Sequence, residues 1–210
     1  MIPQLCFITD PQAPLPILDQ AEKAARGGAR WVQLRHKTLP DADFARLART
    51  LRERLSALGS ELVINDRVEV ARHIGAFGLH IGQSDGDPTQ IRSRIGPDMV
   101  LGLSIENAAQ LSQIPAHGVD YLGVGPIRAT GSKSDHAPPI GFEGLTHIAS
   151  ATPLPCMAIG GLSAADIPTI AKCGCAGVAV ISAISRANDP QRAAQAITDL
   201  WKAAAGTSST

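Results

Sequence analysis

Two cationic side chains and an amide follow one short apolar run of the 210-residue chain closely enough to bind one anion. The segment Gln33-Leu-Arg-His-Lys37 sets Gln33 and Arg35 two residues apart. Side chains alternate between the faces of a β-strand, so Gln33 and Arg35 can point to the same side. Arg35 and Lys37 together suit a diphosphate, because guanidinium and ammonium groups form charge-assisted hydrogen bonds with phosphate oxygens. A structural ion pair at the end of a strand is the alternative.

Two carboxylates occupy comparable places after the next two apolar runs. Asp66 follows Asn65 directly, and Asp85 closes the segment Gly82-Gln-Ser-Asp85. Beside cations that bind diphosphate, such a pair predicts a Mg²⁺ site, in which carboxylate, substrate and water oxygens complete an octahedron. Taken singly, Asp66 could instead cap a helix at Val68–Ile74, and Asp85 could belong to an Asx turn before Asp87-Pro88.

A glycine pair and a later serine indicate a second anion site. Gly160-Gly161 ends one apolar run and Ile181-Ser182 ends the next. Glycine lets a backbone approach a ligand closely, and exposed N–H groups at the start of a short helix bind phosphate. A tight turn with no ligand would also explain the two glycines.

A long polar loop carries Thr130-Gly-Ser-Lys133 within residues 126–140. Loops of this length in a compact domain often serve as lids or binding loops. Lys133 could then reach a leaving diphosphate, whereas a plain surface loop is the alternative.

The other polar residues show no catalytic or metal-binding pattern of their own. The six histidines lack metal-ligand spacing, and we find no Ser-His-Asp set. Ser104, at the end of another apolar run, is better interpreted as a hydroxyl that donates a hydrogen bond than as a nucleophile.

These residues all follow short apolar runs that alternate with amphipathic segments. Runs buried on both faces are typical of parallel strands. The predicted strands are Leu5–Thr9, Trp31–Arg35, Leu62–Asn65, Leu79–Gly82, Val100–Ser104, Tyr121–Gly125, Cys156–Gly160 and Val178–Ser182. The predicted helices are Pro16–Arg26, Asp41–Leu58, Val68–Ile74, Pro88–Ile95, Ala108–His117, Phe142–Ala151, Ala164–Cys173 and Pro190–Ala204, with Asp41, Asn107 and Ser163 as caps.

Eight βα units favour an α/β fold of the (β/α)8 TIM-barrel type in one domain at 1–205, with a disordered tail at 206–210. An open doubly wound sheet is the alternative, but no G-x-G-x-x-G follows the first strand. In a barrel all the strand ends named above converge on one face, which is the face that carries active sites.

The composition of the chain limits the binding partners and the cellular location that we expect. Lysine plus arginine equals aspartate plus glutamate at 19 each, so no global field draws the protein to nucleic acid or an anionic membrane. The four cysteines show no zinc or disulfide spacing, although a redox role for Cys173-Gly-Cys175 stays open. With no signal-like or spanning segment, we expect a cytoplasmic protein. A homo-oligomer is left open.

The same segments, in the same order, resemble the thiamine phosphate synthase family. The matching stretches are Gln33–Lys37, Val63–Asp66, Leu79–Asp85, Leu101–Ser104, Asp120–Pro126, Thr130–Lys133, Ala158–Leu162 and Gly177–Ala183. Each stretch alone is weak, but eight in register over nearly the whole chain are specific.

The resemblance implies an enzyme that joins hydroxymethylpyrimidine diphosphate to a thiazole phosphate with Mg²⁺, through loss of diphosphate and a pyrimidine carbocation. It implies that Gln33, Arg35, Lys37, Asn65, Ser104 and Lys133 hold the pyrimidine diphosphate, with Arg35, Lys37 and Lys133 as catalytic cations. It also implies that Asp66 and Asp85 hold Mg²⁺, and that Thr130, Ser132, Gly161, Ile181 and Ser182 hold the thiazole phosphate.

Three positions depart from the family pattern. His36 stands where an acidic residue is usual, Ser84 where glutamate is common, and Arg128 where an aromatic residue is expected. Related thiazole tautomerases share the framework but carry a histidine where this chain has Pro126, and they tend to lose the diphosphate and metal ligands. A tautomerase-like isomerase and a non-catalytic sensor of thiamine-pathway phosphates are therefore the competing hypotheses.

Overall fold

The computed structural model describes residues 2–131 and 137–206, and eight parallel strands in it close into a barrel in sequence order. The strands are β1 (Leu5–Ile8), β2 (Trp31–Leu34), β3 (Glu61–Asn65), β4 (Gly78–Ile81), β5 (Val100–Ile105), β6 (Tyr121–Val124), β7 (Cys156–Ile159) and β8 (Gly177–Val180). β1 pairs with both β2 and β8, which closes the sheet. The predicted TIM barrel is confirmed.

Helices lie between successive strands and cover the outside of the barrel. They are α1 (Ile17–Arg26), α2 (Asp41–Ser56), α3 (Val68–Ile74), α4 (Pro88–Ile95), α5 (Gly141–Ser150), α6 (Ile167–Lys172), α7 (Ser182–Ser185) and α8 (Pro190–Gly206), with 3₁₀ helices at Ala108–Gln113 and Ala164–Asp166. The last helix includes Gly206, and residues 207–210 of the predicted tail lie outside the described residues.

Two predicted helices are shorter than expected, and in both cases proline is the reason. The segment 108–117 forms only a 3₁₀ helix, because Ile114 precedes Pro115 and adopts an extended conformation with ψ 126°. The segment 164–173 starts as a 3₁₀ turn before Pro168 enters the first turn of α6. α7 was not predicted, since its four residues are too few to show periodicity.

Two of the three predicted helix N-caps are confirmed, and one is wrong. The Asn107 side chain accepts a hydrogen bond from the Gln110 N–H, and Ser163 forms a capping box with Asp166. The prediction for Asp41 is wrong: Pro40 holds the cap position of α2, and Asp41 is an acidic residue of its first turn.

Alternation along the strands divides the buried residues into two cores. Leu, Ile, Val and Ala side chains of one parity pack between barrel and helices. Side chains of the other parity fill the barrel interior, including Cys6, Trp31, Val63, Tyr121 and Met157. Trp31 contacts Tyr121 edge-on with ring centroids 5.2 Å apart, and Phe77 at 5.5 Å. The interior is therefore packed beneath the strand ends.

The four cysteines are free thiols in these cores. Burial raises the pKa of the Cys6 thiol to about 12 and that of Cys175 to about 12, so both stay protonated near neutral pH. Reactive cysteines instead have a lowered pKa and some exposure, so the redox interpretation of Cys173-Gly-Cys175 gains no support.

No helix in the described ranges has both the length and the hydropathy that a membrane crossing requires.

Candidate active site

A cavity opens at the carboxyl ends of the strands, above the packed interior. Its wall includes residues that lie far apart in the sequence, from Ile8 to Ser182. The predicted residues that line it are Gln33, Arg35, Asn65, Ser104, Thr130, Gly161, Ile181 and Ser182. The barrel therefore brings both predicted substrate sites into one cavity.

Arg35 stands on the β2 side of this cavity, and its backbone is fixed by the end of β1. The Arg35 N–H donates to Thr9 Oγ1 at 3.0 Å, and the Thr9 hydroxyl donates to the Arg35 carbonyl at 3.3 Å. The Arg35 Nε is buried and has no hydrogen-bond partner among residues 2–131 and 137–206. A buried donor without a partner costs about 1–3 kcal/mol, and an anion in the cavity would satisfy it.

Lys37 and Asp66 form an ion pair at the rim, through Lys37 Nζ and Asp66 Oδ2. The same oxygen accepts a hydrogen bond of 2.8 Å from Asn65 Nδ2. Asp66 has a φ of 56°, a left-handed conformation that is uncommon for a non-glycine residue. Strain of this kind clusters at functional sites, where the surrounding structure imposes it. Lys37 and Asp66 thus lie beside the cavity rather than on its wall.

Asp85 belongs to the loop after β4, next to the end of β3. Its Oδ2 accepts a hydrogen bond of 2.7 Å from the Gly82 N–H three residues earlier, so the side chain closes the turn before it and not the Asx turn expected toward Asp87. Asp66, by contrast, does not cap α3, whose cap residue is Arg67. β3 and β4 pair with Asn65 opposite His80, which puts the two aspartates at adjacent strand ends.

The two aspartates fit a hard divalent cation only with ligands from elsewhere. Oδ1 of each accepts no hydrogen bond from the described residues, which leaves a carboxylate oxygen for a metal. No group of three or more metal-ligating side chains occurs within 2–131 and 137–206. This donor set suits Mg²⁺, which keeps water and takes substrate phosphate oxygens beside one or two carboxylates.

The opposite flank of the cavity is formed by β7, β8 and the start of the long loop. Gly160 and Gly161 have φ of 96° and 67°, a conformation that glycine adopts without strain. The Gly161 N–H donates to no acceptor in the part of the chain that the structure describes. A Cβ at Gly161 would lie 2.8 Å from the Ala129 carbonyl oxygen. Glycine thus lets the loop at Arg128 and Ala129 pack closely, and the Gly161 N–H stays available as a donor to an anion.

Arg128 ties this flank to the long loop. Its guanidinium pairs with Asp166 at 2.7 Å and lies 5.1 Å from the centroid of the Phe142 ring. Its N–H donates to the Gly160 carbonyl at 3.0 Å. The family departure at Arg128 therefore has a structural role, since the side chain contacts both the 3₁₀ helix after β7 and α5.

Sequence reasoning missed His80 and Tyr121, and did not single out Glu106. All three line the cavity. His80 lies on a predicted strand, where a polar ring must face either the barrel interior or the helices, and that position was the available signal. The predicted residues Ser132 and Lys133 lie outside the described residues.

A closed (β/α)8 barrel with a cavity at the carboxyl ends of its strands has the architecture of a barrel enzyme. The comparisons with known proteins narrow this class. The family model described as thiamine monophosphate synthase matches residues 5–184. The thiamine-phosphate synthase of Xanthobacter autotrophicus is 43% identical over 195 residues, with 92% of each chain covered. That of Azorhizobium caulinodans is 41% identical over 195 residues, again with 92% of each covered.

The solved structures agree. The thiamine phosphate pyrophosphorylase from Pyrococcus furiosus superposes with a TM-score of 0.88 at 29% identity, covering 96% of each chain. A 3-hexulose-6-phosphate synthase shares the fold, with a TM-score of 0.70 at 16% identity over 94% of this chain and 99% of that one. The chain belongs to the thiamine monophosphate synthase family, and with its relatives it is an enzyme.

Proposed function

We propose that this enzyme is a thiamine-phosphate synthase of thiamine biosynthesis, which joins hydroxymethylpyrimidine diphosphate to the thiazole phosphate and releases pyrophosphate. Its relatives of about 40% identity carry that name. The cytoplasm is the location we expect for it.

One observation carries the proposal: a single cavity offers unpaired donors to anions at two separate places. The Arg35 Nε lies at the end of β2, whereas the Gly161 N–H lies beyond the end of β7. Two phosphorylated substrates need two such places, and the reaction needs both within one cavity. An isomerase with one phosphorylated substrate would need only one.

The pyrimidine diphosphate is assigned to the β2–β5 side. Arg35 and Lys37, with Lys133 from the loop, would hold the diphosphate and stabilise the negative charge that grows on it as it leaves. Gln33, Asn65 and Ser104 would hold the remainder of this substrate. The thiazole phosphate is assigned to Thr130, Ser132, Gly161, Ile181 and Ser182.

No nucleophile of the protein is required for this reaction. The carbon–oxygen bond to the diphosphate breaks and leaves a pyrimidine carbocation, and the thiazole nitrogen then attacks the methylene carbon. What the chain must supply is charge stabilisation, alignment of the two rings and exclusion of water, which would otherwise capture the cation. Asp166 holds the start of the long loop through its ion pair with Arg128, and we assign this loop a part in the exclusion of water.

Asp66 and Asp85 are the residues we assign to Mg²⁺. When bound, the ion would add positive charge next to the leaving diphosphate. Each aspartate has one carboxylate oxygen available for it, as described above.

The decisive experiment supplies both substrates with Mg²⁺ and measures pyrophosphate and thiamine phosphate together. We expect equal amounts of the two products, and none when either substrate is omitted. Asp85→Asn should remove most of the activity or shift the Mg²⁺ requirement upward, whereas Asp98→Asn, at an exposed carboxylate, should match wild type.

Other outcomes would favour the competing hypotheses. Conversion of a thiazole phosphate isomer without pyrophosphate would indicate a tautomerase. Binding of both substrates with no product would indicate a sensor. Either result would overturn the proposed function.

A further inference from the structure

Three side chains on neighbouring strands form a hydrogen-bonded chain across the floor of the cavity. His80 on β4 has its Nδ1 2.9 Å from the Tyr121 hydroxyl of β6. Its Nε2 lies 2.9 Å from Ser104 Oγ of β5. One imidazole therefore connects a buried phenol to a hydroxyl that lines the cavity.

The backbone is built to admit this imidazole. β5 and β6 carry Gly102 and Gly123 at the positions beside it. A Cβ at Gly102 would lie 2.2 Å from Tyr121 Cζ and 2.5 Å from His80 Nδ1, and a Cβ at Gly123 would lie 2.8 Å from His80 Cε1. Any larger residue would displace the rings, so both glycines fix where the imidazole lies.

The Tyr121 hydroxyl decides which atom donates in each of the two hydrogen bonds of His80. Tyr121 is 2% exposed, and among the described residues His80 is its only hydrogen-bond partner. Burial raises the pKa of Tyr121 well above its ordinary value, so the hydroxyl keeps its hydrogen. A buried hydroxyl hydrogen needs an acceptor, and the lone pair of Nδ1 is the one in reach.

The tautomer of His80 is then determined. In a neutral imidazole, when Nδ1 accepts a hydrogen bond, the hydrogen is on Nε2. Nε2–H donates to Ser104 Oγ, and the Ser104 hydroxyl hydrogen is left to point elsewhere. Because Ser104 lines the cavity, a ligand bound in the cavity can accept that hydrogen.

We propose that Tyr121 and His80 are positioning residues, which orient Ser104 as a hydrogen-bond donor to an uncharged ring nitrogen of the aminopyrimidine substrate. This inference rests on the proposed function. The ring is favoured over the diphosphate because the wall of the cavity that Ser104 lines also carries apolar side chains, among them Ile8, Met157 and Ala179. The cationic Arg35 stands at the end of β2 instead.

The orientation itself can be tested without substrate. In protein labelled with ¹⁵N-histidine, a long-range ¹H–¹⁵N spectrum reports which nitrogen of each ring carries hydrogen, and His80→Asn identifies the His80 signals. We expect the Nε2–H tautomer in wild type and a shift of the population toward Nδ1–H in Tyr121→Phe. Nδ1–H in wild type, or no change in Tyr121→Phe, would overturn the proposal.

A double-mutant cycle tests whether the orientation matters for binding. Ser104→Ala should raise the KM of the pyrimidine diphosphate roughly tenfold, and Tyr121→Phe roughly three- to fivefold, as expected for one hydrogen bond. Because Tyr121 acts only through Ser104, the double variant should be no worse than Ser104→Ala. Effects that multiply would show that the two residues act independently and would overturn the relay.

The chemical identity of the acceptor has its own test. Affinity for the aminopyrimidine alcohol, which lacks the diphosphate, should fall in Ser104→Ala, while affinity for inorganic pyrophosphate should stay at the wild-type value. The reverse pattern would overturn the assignment to the ring. If wild type releases no pyrophosphate from both substrates, the proposed function fails, whereas the histidine spectrum still decides the relay.

Discussion

The Lys37 ammonium contacts the same oxygen of Asp66 that Asn65 contacts, so the lysine that we assign to the diphosphate is held by the carboxylate that we assign to Mg²⁺. A divalent cation bound through Oδ1 of Asp66 would compete with Lys37 for the negative charge of the same carboxylate. Displacing Lys37 would free its ammonium for the diphosphate. The two sites are therefore linked through a single carboxylate.

Lys37→Met tests this linkage. Removing the competing ammonium should tighten Mg²⁺ binding in the absence of substrate about two- to fivefold, since an exposed ion pair contributes about 0.2–1 kcal/mol. Activity should nevertheless fall, because the diphosphate loses a cation. Calorimetric titration with Mg²⁺ measures the first effect. Lys202→Met, which removes an exposed partner of Asp199, is the control and should leave Mg²⁺ affinity unchanged.

Arg35→Ala should separate binding from stability. The KM of the pyrimidine diphosphate should rise at least tenfold, because hydrogen bonds to a charged group contribute about 1.5–3 kcal/mol. The free energy of unfolding should change little, since the variant also removes a buried donor without a partner. Kinetics and urea unfolding provide the two measurements. Arg54→Ala, which removes a surface pair with Glu22, should leave the KM at its wild-type value.

Gly161→Ala should weaken the thiazole phosphate site. Its φ of 67° strains an alanine, and the added Cβ would meet the loop at Ala129 and Arg128. Gly174→Ala is a matched control, with a φ of 82° and no atom within 4 Å of the added Cβ. Both variants should lose about 1 kcal/mol or more of stability, but only Gly161→Ala should raise the KM for the thiazole phosphate. Equal KM values in the two variants would contradict this assignment.

Stability should fall in alkaline solution partly through Cys6. Its pKa is about 12 in the folded protein and near the ordinary value of 9.0 once unfolded, so the unfolded state releases the proton first as pH rises. The contribution is complete below about pH 9 and is lost as pH rises toward 12. Urea unfolding at pH 8 and pH 10.5 should show a smaller decrease for Cys6→Ala than for wild type. An identical decrease would mean that the thiol is not the cause.

The strand ends could be predicted because parallel barrel strands are buried on both faces, and their apolar runs stop where the polar residues begin. Gln33, Arg35 and Asn65 were placed in this way, and all three line the cavity. Convergence of distant residues then follows from closure alone.

The contacts between strands could not be predicted in the same way. The pairing of Lys37 with Asp66 depends on the left-handed backbone of Asp66, which nothing in the neighbouring residue types requires. Gly102 and Gly123 look like weak strand residues in the sequence. Only the three-dimensional arrangement shows that the rings of His80 and Tyr121 fill the volume that Cβ atoms on these two glycines would need.

The aromatic rings of Trp31, Phe77 and Tyr121 inside the barrel also restrict the route by which substrates enter and products leave. Because these rings pack in the barrel interior, we expect a molecule on the cavity floor to enter and leave through the mouth at the strand ends. We therefore expect the substrate that binds deepest, which we assign as the pyrimidine diphosphate, to bind first. The product formed from it, thiamine phosphate, should leave only after any molecule bound nearer the mouth has dissociated.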